Sequence, residues 1–185
     1  MTDKKADIFK AARELFYSKG FKDTNVSEIA KLAGIGVGTF YNYYTSKEAL
    51  FLEVYFEENE KHKNELLESM NWNDDPVNLF TRRVAQNASE MNSNPILKEW
   101  YNKELFNKLE KQFYEQGGME RFNEFTNSGT IELIKKWKAE GKIRADIDDE
   151  MINAIFSAIP YIDLHKSEIG IEHFPQILVY ITEFI

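Results

Sequence analysis

The chain of 185 residues carries a net charge of −8, is 14% aromatic and has no cysteine. That length allows one or two small domains with a real core, and 14 Phe, 9 Tyr and 3 Trp supply much apolar area for it. Without cysteine there is no disulfide, iron–sulfur cluster or thiolate chemistry. The opening Met-Thr-Asp-Lys-Lys lacks the apolar core of a signal peptide, and no apolar run approaches the roughly 20 residues that span a bilayer. A soluble, cytoplasmic protein without membrane contact is expected.

The first helix is predicted from about Asp3 to Lys19, with Ile8, Ala11, Ala12, Leu15 and Phe16 inward. Gly20 stands where a helix-ending glycine belongs, and Phe21 can then fold back on Phe16. The lysines Lys4, Lys5, Lys10, Lys19 and Lys22 read as a solvated face. A second, short helix opens at Asn25, which has capping-box spacing with Glu28. Its apolar face is Val26, Ile29, Ala30 and Ala33, and Gly34 ends it. Thr24 and Ser27 lie at its N-terminus, where unpaired N–H groups favour a phosphate; simple capping explains them equally well.

Val37, Phe40, Tyr41 and Tyr44 repeat the helical spacing, so a third short helix follows the turn. Two short helices joined by a tight glycine-containing turn describe a helix-turn-helix, whose second helix enters the DNA major groove. The outward positions of that helix are Gly38, Thr39, Asn42 and Tyr43. They carry no charge and no long side chain, so a backbone can approach closely. Thr39 and Asn42 can hydrogen-bond base edges or phosphates, and a methyl of Thr39 or Val37 can meet a thymine methyl. A tight helix corner inside an ordinary bundle has the same spacing.

The run from Ile8 to Phe51 resembles the N-terminal domain of the TetR/AcrR family of bacterial transcriptional regulators. The resemblance is carried by Ala11-Ala12, Leu15-Phe16, Gly20-Phe21, Thr24, Val26, Ile29-Ala30, Ala33-Gly34, Gly36, Gly38-Thr39, Tyr41, Tyr43-Tyr44, Ser46-Lys47 and Leu50-Phe51. It covers about a quarter of the chain, and the rest is similar only in being helical and of fitting length. It implies a DNA-binding set of Thr24, Val26, Ser27, Gly36, Val37, Gly38, Thr39, Tyr41, Asn42, Tyr43 and Lys47. Within that set Tyr41 and Lys47 would hold phosphate. By position alone, Tyr41 also suits core packing with its hydroxyl protruding.

A fourth helix opens at Thr45 or Ser46, with Thr45 and Glu48 at capping-box spacing. Lys47 in its first turn opposes the helix dipole, which makes more sense if an anion also arrives there. This helix is predicted to run to about Met70, and the resemblance implies that it transmits ligand state to the head. Asn71 to Pro76 is a polar break, with Pro76 suited to a helix's first turn. Val77 to about Asn92 is helical, Asn92 to Pro95 is a break, and Ile96 to Gln116 reads as one aromatic-rich helix ended by Gly117-Gly118. Met119 to Glu140 is the next, stopped at Gly141. Asp148 or Asp149 caps another, with Pro160 expected to kink it, and a last helix starts at about Glu172. No segment alternates like a strand.

The expected fold is all-α: an N-terminal three-helix helix-turn-helix domain (residues 1–46) and a C-terminal helical bundle for ligand binding and dimerisation (residues 47–185). Residues 1–50 hold eight basic and six acidic side chains, the remainder fifteen and twenty-five. A mildly basic head on an acidic body suits DNA contact at the head alone. The last two helices are apolar on more than one face and need cover. The resemblance implies that they pair with a second copy, giving a homodimer that reads a palindromic operator in double-stranded DNA. The chain stops at Ile185 without a polar cap, so the last helix is expected to continue.

Trp100, Tyr101, Phe113, Phe125 and Tyr161 are candidates to line a pocket for a small-molecule effector, with Glu90, Glu104 and His165 to orient it; ordinary core packing competes for each. Phe106, Phe122 and Trp137 belong to the same aromatic set. His62, His165 and His173 share no metal spacing, and no catalytic motif is present. Neither a cofactor nor an enzymatic activity is expected. The predicted function is a ligand-released repressor; a DNA-binding regulator controlled by a protein partner is the alternative.

Overall fold

The computed structural model describes residues 3–117, 130–164, 166–170 and 172–184, and all regular structure among them is helical. The backbone divides into two compact units: Met1–Glu68 with Ala88–Gln116, and Ser69–Asn87 with Gly117–Ile185.

In the first unit α1 (Lys4–Lys19) is capped by Asp3, whose side chain accepts the N–H groups of Lys5 and Ala6. It ends at Gly20, at φ 81°, where the N–H of Gly20 returns to the carbonyl of Phe16. Phe21 lies 5.9 Å from the Phe16 ring, as the sequence predicts. Then come α2 (Val26–Leu32), α3 (Val37–Phe40) and α4 (Lys47–Glu68). The 22 residues of α4 extend about 33 Å. Ser46, not Thr45, caps it: Ser46 Oγ accepts the Ala49 N–H at 3.0 Å. Buried Ile8, Ala12, Phe16, Ile29, Phe40 and Leu50 close the core of α1 to α4. Burial of such side chains is worth about 1.5–3 kcal/mol each, which holds the short α2 and α3 that could not persist alone.

Further along, α4 buries polar groups. Glu58, Asn59 and His62 are buried. Arg13 Nε donates to Glu58 Oε1 at 2.6 Å and Asn94 Nδ2 to Glu58 Oε2 at 3.1 Å. His62 Nδ1 lies 3.2 Å from Glu90 Oε2. Pro76 begins α5 (Pro76–Ser93), and Asp75 caps it by accepting the Asn78 N–H.

The single helix expected from Ile96 to Gln116 is two pieces. A 3₁₀ turn spans Leu97–Tyr101 and α6 spans Lys103–Glu115. Asn102 separates them, extended at φ −80°, ψ 95°, with its side chain accepting the Leu105 N–H. An Asn offers the backbone this alternative to continuing a helix. Trp100 in the turn stacks on Tyr55 of α4 at 5.5 Å.

In the second unit the described part of α7 covers residues 130–139; the start of the predicted helix lies outside the described residues. Trp137 and Ile134 are buried against Leu133, Ile152, Phe156, Phe174 and Leu178. Asp148 caps α8 (Asp149–Leu164) by accepting from Glu150 and Met151. The helix runs on through Pro160. A short α9 (Lys166–Ile169), unanticipated in the sequence, precedes α10 (Phe174–Phe184). α8 and α10 pack together.

Candidate nucleic-acid interface

The helix-turn-helix is built from local devices. At α2 both halves of the capping box form: Asn25 Oδ1 accepts the Glu28 N–H at 3.0 Å and Glu28 Oε2 accepts the Asn25 N–H at 3.1 Å. Lys19 Nζ donates to Glu28 Oε1 at 2.6 Å. That bond, and then the one from the Asn25 backbone, hold the exposed Glu28 carboxyl below its ordinary pKa. At the other end Gly34 takes φ 68°. Its N–H returns to Lys31 O at 3.2 Å while the Ile35 N–H returns to Ala30 O at 2.9 Å, the paired bonds of a Schellman stop. A side chain at Gly34 would be strained by its backbone.

α3 is a single turn, continued by turn bonds from Asn42 N to Thr39 O and Tyr43 N to Phe40 O. Only Phe40 and Tyr44 of the predicted inner face are buried. Val37 and Tyr41, assigned to that face by spacing, point outward at 41% and 55% exposure. Desolvation, and next the charge of Glu53, push the pKa of the Tyr44 hydroxyl up. Gly36, Gly38, Asn42 and Tyr43 are also exposed and Thr39 is half-buried. No Asp, Glu, Lys, Arg or His occurs from Leu32 to Ser46, so this outward surface carries no ionised side chain. A Cβ added at Gly36 or Gly38 would meet nothing within 4 Å, and neither has a positive φ. The fold itself does not demand glycine at either position.

On the flank, two of the expected residues make bonds within the chain. Thr24 is 1% exposed and its hydroxyl donates to Gly20 O at 2.8 Å. It caps no helix, since the N-cap of α2 is Asn25; the hydroxyl closes the α1–α2 turn instead and the side chain is enclosed. Lys47 Nζ donates to the carbonyls of Phe21 at 2.8 Å and Thr24 at 2.6 Å, and sits 4.0 Å from the centre of the Phe21 ring. Burial lowers the pKa of this ammonium. Its odd place at a helix N-terminus is thus compensated inside the chain. Ser27 is exposed and Val26 half-buried.

The aromatic candidates are brought together only in part. Trp100 and Phe113 lie 5.3 Å apart and line, with Tyr55 and Leu109, a cavity of about 10 Å³, the room one water needs. Tyr101 turns its hydroxyl toward Met91 Sδ at 3.8 Å, and Glu104 is exposed beside Lys108. Glu90 faces His62. Phe122, Phe125, His165 and the side chain of Tyr161 lie outside the described residues. Among the described residues no three His, Asp or Glu gather to hold a metal, and no helix is long and apolar enough to cross a membrane.

Residues 8–54 match the family described as bacterial regulatory proteins, tetR family. Over 54 residues the chain is 48% identical to the HTH-type transcriptional regulator YerO of Bacillus subtilis, an uncharacterised protein; the match takes in 29% of this chain and 19% of that one. The fold is similar to the fatty acid degradation regulator FadR from Bacillus halodurans, with a TM-score of 0.59 at 19% identity over 99% of this chain and 94% of that one. It is also similar to Thermus thermophilus FadR, a TetR-family repressor solved with lauroyl-CoA, with a TM-score of 0.54 at 22% identity over 97% and 89%. An intact capping box, a Schellman turn and the match to the tetR family of bacterial regulatory proteins fall on the same stretch, and it is this stretch, residues 8–54, that carries the family's sequence.

Proposed function

We propose that the protein is a cytoplasmic, dimeric, sequence-specific DNA-binding regulator, a repressor released from a palindromic operator by a small apolar or aromatic effector. One observation carries the reading: the outward surface of α3 is exposed, uncharged and small at two positions where the fold does not require glycine. α3 would read the major groove through Val37, Gly38, Thr39, Asn42 and Tyr43, with Gly36 and the exposed Tyr41 at the phosphates and Val26 and Ser27 at the groove edge. The division of labour falls at residues 46 and 47, and the last two helices join two copies. An effector that favours a head spacing mismatched to the operator would weaken DNA binding by reciprocity. The lauroyl-CoA bound by the Thermus relative makes acyl-CoA thioesters the first compounds to try.

A second reading has an observation of its own. Among the described residues, the cavity beside Trp100 and Phe113 has about 10 Å³, too little for such an effector, which suits control by a protein partner. A gel shift on the DNA upstream of the protein's own gene, with and without acyl-CoAs and small aromatics, separates the two. Binding that a compound releases supports the first; binding that none releases supports the second. No shift on any duplex contradicts both.

A further inference from the structure

The geometry points to Glu58 as a positioning residue for the release of DNA: it bonds α1 of the helix-turn-helix to the 3₁₀ turn that walls the aromatic cavity, and so carries a change at that wall to α1. The role, though not the geometry, rests on the effector reading above. The Glu58 side chain is 6% exposed, and its two oxygens serve different elements. Oε1 accepts the Arg13 Nε–H of α1 at 2.6 Å, and Oε2 accepts from Asn94 Nδ2 at 3.1 Å. The other end of the Asn94 amide faces the turn: Oδ1 accepts the N–H groups of Ile96 at 2.9 Å and Leu97 at 3.2 Å. That turn, Leu97–Tyr101, carries Glu99 and Trp100 into the cavity wall. Glu99 also reaches the end of α1, with Oε1 3.7 Å from where a Gly20 Cβ would stand. The turn therefore meets α1 at Gly20 and, through the Glu58 carboxylate, at Arg13.

A carboxylate taken out of water holds its partners firmly, because losing one leaves charge uncompensated, and its bonds to Arg13 and Asn94 are charge-assisted. An effector that enters the cavity must push the turn, since about 10 Å³ leaves room for one water. The turn then either draws Asn94 off Glu58 or drags Glu58 with it. In both cases the carboxylate re-aims at Arg13. The Arg13 side chain is 41% exposed and has Glu57 3.9 Å away as a second partner, which gives α1 an alternative arrangement. Coupling between two sites needs an element with two discrete arrangements.

The test exchanges donor and acceptor. Glu58→Gln offers one oxygen to two donors and so breaks one bond. Asn94→Asp keeps the oxygen that holds the turn but sets a carboxylate against Glu58. Combined, the new amide donates to the new carboxylate and its oxygen accepts from Arg13, which rebuilds the bridge. Lauroyl-CoA is the probe, at concentrations that saturate each variant, and the release ratio is operator affinity without it over operator affinity with it. Each single variant is expected to lower that ratio about 2- to 30-fold, and the double variant to restore it. Single variants released as the wild type is, or a double variant no better than the singles, would overturn the inference. If lauroyl-CoA releases no DNA from the wild type, the effector reading fails for that compound and the free protein decides. Trp100→Phe at the cavity wall should then move the Arg13 Nε–H signal in NMR spectra, and should not move it when Glu58→Gln is also present. A signal that stays put in the wild-type background, or moves equally in both, would likewise overturn the inference.

Discussion

Gly38 stands in α3, where glycine is costly. A Cβ there would touch nothing, so Gly38→Ala is expected to stabilise the chain by about 0.5–1 kcal/mol and raise Tm by roughly 1–4 °C. The same methyl should weaken operator binding, because it stands where base edges must come close. Calorimetry and an anisotropy titration on one preparation check both; a variant both more stable and equally tight would show that nothing approaches this surface. At Thr24 the expectation is the reverse. Thr24→Val removes a buried hydroxyl from the Gly20 carbonyl and should cost about 0.5–1.5 kcal/mol, read from the denaturation midpoint. The salt dependence of DNA binding should not change, since the side chain is enclosed.

At the scale of elements, α4 ties the first unit together through a carboxylate taken out of water. The Glu58 side chain is 6% exposed and that of Arg13 41%, and this asymmetry makes a prediction. Arg13→Met strands a buried charge for which, among the described residues, the Asn94 amide remains as donor, costing up to about 3–5 kcal/mol. Glu58→Met leaves a guanidinium that can rehydrate, so its cost should be clearly smaller. Urea unfolding of both variants would contradict this by giving equal or reversed midpoints. What the sequence made legible follows the same scale. The capping box at Asn25, the stop at Gly34 and the return of Phe21 onto Phe16 are fixed within a few residues, and each is where its spacing put it. Val37 and Tyr41 were misfaced because α3 is one turn long, too short for a period of 3.6 to decide a face. The break at Asn102 was illegible because an Asn inside an apolar-periodic run looks the same whether it caps or continues. Arg13 with Glu58, and Lys47 with the α1–α2 turn, join residues far apart in sequence, and no local pattern announces them.

For the whole molecule, the charge is the informative quantity. A chain at −8 that binds DNA as proposed does so where its basic and neutral surface is concentrated, so the fall of log affinity with log salt should be shallow, about 0.9 for each of a few phosphate contacts. In the second unit Met151, Tyr180 and Phe184 are 57%, 64% and 61% exposed on α8 and α10, large apolar side chains left open to solvent, with the Arg144 guanidinium 5.2 Å from the centre of the Phe184 ring. The proposed pairing of these helices predicts that Tyr180→Glu with Phe184→Glu yields a monomer by light scattering and loses operator binding while keeping its helical content. A double variant that stays dimeric would place the contact elsewhere. The most direct test of the central claim, that the uncharged outer surface of α3 receives a duplex, is the operator affinity of Asn42→Asp. Asn42 is exposed, so the substitution should leave the thermal midpoint unchanged. A new negative charge set against phosphates and base edges should weaken binding about 100-fold or more. An Asn42→Asp protein that binds the operator as tightly as the wild type would contradict the account.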